Sequence, residues 1–145
     1  MEIIQAIRSY IAACPLLKNG VIVGVDQLRA GISYTVDTTP CNPVVQQYTD
    51  GGSKRQFQFV FASREKYGEK VLENLQNSGF YEAFADWVER NNWRGVFPEL
   101  GEYRTPFGVQ ILSNGYAYDT GDNTARYQIQ LSLLYYQDRR YFTNG

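Results

Sequence analysis

The sequence predicts an α+β fold: one mainly antiparallel β-sheet with an N-terminal helix and a central helical segment packed on one face. Three observations carry this. At 145 residues the chain has the length of one domain. Its strand-like stretches, with apolar residues at period two, are joined by hairpin signals, which favours antiparallel pairing. Helical periodicity occurs once at the start and once in the middle, so the order is helix, strands, helices, strands rather than a strict strand–helix alternation. With 43% hydrophobic and 20% charged residues, the chain has the composition of a protein that folds in water.

The elements follow in order. Ile3, Ile4, Ile7, Tyr10, Ile11 and Cys14 recur at helical spacing, with Glu2, Gln5, Arg8 and Ser9 on the other face. This predicts an amphipathic helix stopped by Pro15. Val21–Val25 and Ile32–Asp37 read as strands, the second alternating and rich in β-branched residues. Val44–Tyr48 and the segment with Phe57, Phe59 and Phe61 on one side and Gln56, Gln58 and Val60 on the other read as a hairpin turning at Gly51-Gly52.

From about Glu65 the period becomes helical. Tyr67, Val71, Leu72 and Leu75 fit one face, a break is expected at Asn77-Ser78-Gly79, and Phe80, Phe84, Trp87, Val88 and Asn91 mark a second helix ended by Gly95 and Pro98. Phe107–Ser113 reads as a strand and Gly115–Asn123 as a Gly- and Asp-rich connection. Tyr127, Ile129, Leu131, Leu133 and Tyr135 form a long strand face opposite Gln128, Gln130 and Ser132. Residues 1–145 are read as a single domain, with 138–145 a frayed, flexible tail. The helices are expected to cover the phenylalanine face, leaving Gln56, Gln58, Gln128 and Gln130 to solvent or a partner.

Composition narrows function. The chain has no histidine, hence no His general base, no His metal ligand and no Ser–His or Cys–His dyad. Cys14 and Cys41 lack zinc or disulfide-framework spacing and read as ordinary thiols. Fourteen basic residues against fifteen acidic ones give a net charge of −1, which supplies no global attraction to nucleic acid or anionic membrane. The start lacks a signal-peptide pattern and no apolar run is membrane-spanning, so cytoplasmic synthesis is expected.

Gly51-Gly52-Ser53-Lys54 lacks phosphate-loop spacing and reads as a hairpin tip, and Asp119–Asn123 reads as a turn rather than a calcium loop. Glu82, Asp86 and Glu89 fall on a solvated helix face, while Glu99 and Glu102 beside Tyr103 are the one carboxylate pair placed to line a cleft. Lys54-Arg55 beside Phe57, and Arg139-Arg140 beside Tyr141, are basic–aromatic pairs read as solubilising rather than as a single-strand platform. No catalytic residue, cofactor site or metal site is assigned.

The amphipathic first helix, Phe57–Arg64 running into a helical segment, Ser78–Val88, Pro98 after the helix and Ala125–Leu131 occur in an order that resembles the minor capsid and tail terminator proteins of long-tailed phages and prophages of Gram-positive bacteria. The likeness covers about residues 1–137, and Phe80–Val88 with Tyr127–Leu131 is its most specific part. It implies a non-enzymatic α+β virion protein, made in the host cytoplasm. Such a protein assembles as a homohexameric ring on the head-proximal end of the tail tube, stops tube polymerisation and receives the head-completion connector. Membrane and specific nucleic-acid binding are not expected.

The residues chosen for contacts are the hairpin tip Asp50, Gly51, Gly52, Ser53, Lys54 and Arg55, and the Glu99, Glu102, Tyr103 and Arg104 loop, on turn chemistry and exposure. Tyr116, Tyr118, Tyr127, Tyr135, Tyr136 and Tyr141 are too many for one interior strand face, so several are expected at a subunit contact. Two alternatives remain: a small cytosolic domain binding a sugar or peptide on an aromatic sheet face, and a hydrolase using Glu99 and Glu102.

Overall fold

In the computed structural model, residues 2–17, 23–25, 34–66, 71–120 and 124–144 are described. The chain is α+β and a single domain, with one seven-stranded, mostly antiparallel sheet and three helices among the described residues. In order these are α1 (Ile3–Ala12), β1 (Val23–Val25), β2 (Tyr34–Thr38), β3 (Val44–Gln47), β4 (Ser53–Lys66), α2 (Val71–Arg94), β5 (Arg104–Ile111), β6 (Tyr116–Thr120), β7 (Thr124–Gln137) and α3 (Arg140–Asn144). The expected positions Val21, Ile22, Ile32, Ser33, Tyr67 and 121–123 lie outside the described residues.

The sheet is built on two 14-residue strands, β4 and β7, antiparallel from Ser53↔Gln137 to Lys66↔Thr124. β2 and β3 share the other edge of β4, and β5 and β6 share the other edge of β7. Only β1–β2 is parallel among the described pairs. Period two then sets the layers. Tyr34, Val36, Phe59, Phe61, Tyr127, Ile129, Leu131 and Leu133 face the helices and are buried with Ile7 and Ile11 of α1 and Tyr81, Phe84 and Val88 of α2. The phenylalanine face is thus core, as expected, and α1 and α2 occupy the surface on which an aromatic sheet-face ligand would sit.

Four expectations are corrected. The central helical segment is one helix, since Val71–Arg94 runs through Asn77-Ser78-Gly79 without a break. A lone glycine costs a helix interior only about 1 kcal/mol, which packing of Tyr81, Phe84 and Val88 outweighs. The connection after Gly115 contains strand β6, paired with β7 through a bulge between Ala117 and Asp119. Arg104 opens strand β5 rather than lying in a loop. The last residues, expected as a frayed tail, form α3 at Arg140–Asn144, because Asp138 and Arg104 provide polar partners there.

α2 ends as its sequence predicts. Gly95 takes φ +72°, Val96 N–H bonds the Asn91 carbonyl at 2.9 Å and Gly95 N–H that of Asn92 at 3.4 Å, the paired closure that favours glycine. One turn earlier Asn92 reaches the sheet edge. Its Nδ2 donates to the Val109 carbonyl at 2.9 Å and its Oδ1 accepts from Val109 N–H at 3.0 Å. A single amide side chain thereby occupies the outer edge of β5, where an open strand would otherwise invite pairing. Asn92→Ala is expected to cost roughly 1–3 kcal/mol, two hydrogen bonds' worth. Asn92→Asp keeps the acceptor but sets a carboxylate against the Val109 carbonyl, so urea denaturation should find it no better than alanine.

The second sheet face is polar but partly closed. Gln130 is exposed, whereas Gln128 is buried, donating to the Tyr116 hydroxyl at 2.6 Å and accepting from Arg126 Nε at 3.0 Å. Arg126 also pairs with Asp37 at 2.5 Å, tying β7 to β2 across β4. Tyr116 from β6 is what covers Gln128, and a reading that made this segment a connection left that glutamine uncovered.

Candidate interaction site at the hairpin end of the sheet

At one end of the sheet β3–β4, β5 and β7 finish together. Asp50 Oδ1 accepts from Gly52 N–H at 2.8 Å, Tyr48 N–H bonds the Gly52 carbonyl at 2.9 Å, and Gly51 sits at φ +92°. Gly52 leaves room for the Tyr136 ring, whose hydroxyl oxygen would lie 2.3 Å from a Cβ there and would have to shift. Ser53 and Arg104 then flank Gln137 on its two sides. Beyond Gln137, Asp138 N–H bonds the Tyr103 carbonyl at 2.8 Å and the chain turns into α3.

The side chains here are cations set on aromatic rings. Arg104 donates to Gln137 Oε1 at 3.2 Å and to the Tyr141 hydroxyl at 2.7 Å, with its guanidinium 4.1 Å from the Tyr141 ring centre and 5.9 Å from that of Tyr135. Lys54 lies over Phe107, Arg55 over Phe142 and Arg140 over Tyr103, at 5.5, 5.9 and 5.0 Å. Tyr103 holds φ +67°, uncommon for a residue with a Cβ, which presents its ring to Arg140. Burial pushes the Tyr135 hydroxyl above its ordinary pKa, and Arg104 and Arg55 oppose that shift.

Asp138 organises the turn. Its carboxylate accepts from Arg140 Nε at 3.0 Å, Nη2 at 3.1 Å and the Arg140 amide at 2.9 Å. These bonds favour the charged form and hold the carboxyl at about 2, below the ordinary 3.8. Because the folded value is the lower one, the contribution is complete above about pH 4 and is lost as pH falls through 2. A carbon-detected NMR titration of Asp138 should give a midpoint near 2, and Arg140→Gln should move it back toward 3.8.

Eight of the ten contact residues thus come together: Asp50, Gly51, Gly52, Ser53, Lys54, Arg55, Tyr103 and Arg104. Glu102 is exposed beside Tyr103. Glu99 instead rims an apolar groove of about 500 Å³ between α1 and α2, with Tyr10, Trp87, Asn91, Val96 and Phe97 in its wall. Glu102 is not among the groove's residues, so the two carboxylates do not share a cleft there.

What the sequence reading missed is the contribution of Asp138 and Phe142, whereas Tyr136 and Tyr141 were among the tyrosines expected at a contact. The signal was the Asp138-x-Arg140 spacing followed by two aromatics. Of the final tyrosines, Tyr127 and Tyr135 are buried in the core while Tyr116, Tyr136 and Tyr141 keep partial exposure. No protein-family model and no curated protein matches the chain. The site's geometry therefore carries the functional reading together with the sequence resemblance.

Proposed function

We propose that this chain is a non-catalytic assembly subunit, a tail terminator that caps the head-proximal end of a phage tail tube as a homohexameric ring and presents a surface to the head-completion connector. One observation carries the assembly part: a single end of the sheet presents Lys54, Arg55, Arg104, Arg139 and Arg140 among Tyr48, Phe107, Tyr141 and Phe142, with Phe142 69% exposed. Aromatic residues and arginine are the side chains enriched where protein surfaces meet. The tail-tube identity comes from the segment order that resembles the terminator family. The test is to add the purified protein to polymerising tube subunit under the electron microscope. Shortened tubes with extra density at one end are expected, and unchanged tube length without end binding would rule the function out.

A second reading has one specific observation behind it. The α1–α2 groove has the volume of small-molecule sites and combines apolar walls with the amide of Asn91 and the carboxylate of Glu99. Under that reading a sugar or peptide would raise the melting temperature of a monomer, and a flat response across both panels would eliminate it.

A further inference from the structure

We infer that the cationic, aromatic end of the sheet docks on the acidic outer face of α2 of a second copy of this chain. This rests on the assembly reading above and names the two surfaces that meet. The hairpin end, residues 50–55, 102–104 and 136–142, holds five cations, Lys54, Arg55, Arg104, Arg139 and Arg140, against three acids, Asp50, Glu102 and Asp138. The chain as a whole carries a net charge of −1, so this end is positive on a slightly negative molecule. Within it Asp138 is engaged by Arg140, Arg104 is held by Gln137 and Tyr141, and Arg55 donates to Ser53. Lys54 and Arg139 make no ion pair among the described residues, although Arg139 is near enough to favour the Asp138 carboxylate.

The complement lies elsewhere on the same molecule. Glu82, Asp86 and Glu89 are all exposed, and their i, i+4, i+7 spacing places them on one face of α2, where they outnumber the exposed Arg90 that borders Asp86 one turn on. Their carboxylates have no hydrogen-bond or ion-pair partner among the described residues. No ion pair joins the two surfaces within one chain among the described residues, which leaves both open to a second copy. A contact between two different patches of identical copies is heterologous, and repetition closes it into a ring when the rotation allows. Phe142, projecting beside Arg55, supplies apolar area at its centre, while the charges set orientation and encounter rate.

The experiment is a charge exchange read by light scattering on size exclusion. One protein carries Lys54→Glu and Arg139→Glu; the other carries Glu82→Lys, Asp86→Lys and Glu89→Lys. All are surface changes, and circular dichroism melts establish that each variant folds. Wild type is expected to assemble at low salt and to dissociate as salt rises. Each exchanged protein alone should remain monomeric, and the two mixed should regain assemblies, because each reversed patch then meets its opposite on the other protein.

Assembly of either variant alone at wild-type concentrations, or failure of the mixture to assemble, overturns the docking while leaving tube capping to its own assay. A wild type that stays monomeric also overturns it. Binding of labelled oligo-dT that is lost in the Lys54/Arg139 variant, without self-assembly, would assign the cationic end to nucleic acid instead.

Discussion

Phe61→Ala is expected to lower stability by about 4 kcal/mol, within the roughly 3–5 kcal/mol that truncating a buried phenylalanine costs. Phe61 is fully buried at the centre of β4, and its ring centre lies 4.6 Å from Phe84, 5.6 Å from Tyr34, 6.1 Å from Tyr81 and 6.5 Å from Phe80. It is the ring that joins the sheet to α2. Alanine removes those edge and stacking contacts and leaves a void that β2, β4 and β7 cannot collapse into, since Val36 and Ile129 are held in register on either side. For a domain of this size the melting temperature should fall by about 10 °C. Phe57 lies on the same strand face but is only partly buried, and its alanine variant should lose about half as much. Urea denaturation of both checks the order, and a Phe61→Ala loss below about 1.5 kcal/mol would mean that the aromatic cluster is not what couples helix to sheet.

That core was legible before any coordinates because period two is a local signal. Phe57, Phe59 and Phe61 alternate with glutamine and valine, and Ile129, Leu131 and Leu133 alternate with glutamine and serine, so each strand declares its inner face. Helix α1 declared itself equally, since its apolar stripe is uninterrupted up to Pro15. β6 did not, because Tyr116–Thr120 contains Asp119 and follows Gly115, and turn residues outweigh two tyrosines when pairing with β7 is unknown. The break expected at Asn77-Ser78-Gly79 failed for the related reason that local propensity is weaker than tertiary packing along a 24-residue helix.

The candidate site was half legible. Turn chemistry located Asp50–Arg55 and composition located Tyr103-Arg104, but only the register Ser53↔Gln137↔Arg104 places the two segments side by side. α3 was hidden by its length. Five residues have no helical period to detect, and what fixes them is a set of contacts to Asp138 and Arg104. Glu99 and Glu102 show the opposite failure. Closeness in sequence suggested a common cleft, yet the turn through Gly101, at φ +84°, leaves only Glu99 on the α1–α2 groove.

Gly115→Ala is the second large effect, with an expected loss of about 3 kcal/mol, the upper part of the range for overpacking. A Cβ on Gly115 would stand 2.3 Å from Tyr81 Cβ and 2.6 Å from its Cγ, far inside van der Waals contact. Relief by moving Tyr81 is blocked. It is 1% exposed, its hydroxyl donates to the Tyr127 carbonyl at 2.9 Å, and Ser63 Oγ lies 2.6 Å from the Tyr81 hydroxyl oxygen. Swinging the ring would strand a buried carbonyl and two hydroxyls, a cost comparable to the clash itself.

The atom that obstructs is Tyr81 Cβ, at the root of the side chain, and this separates backbone crowding from ring crowding. Shortening Tyr81 to alanine keeps that Cβ, so Gly115→Ala should remain costly in a Tyr81→Ala background. Removal of the penalty there would place the conflict in the ring instead. Asn114→Ala, one residue away and exposed, should stay within about 0.5 kcal/mol of wild type. Thermal melts of wild type, Gly115→Ala, Tyr81→Ala, their double variant and Asn114→Ala decide the matter, and an unchanged melting temperature for Gly115→Ala would mean that β6 stands farther from α2 than the close packing of Gly115 on Tyr81 requires.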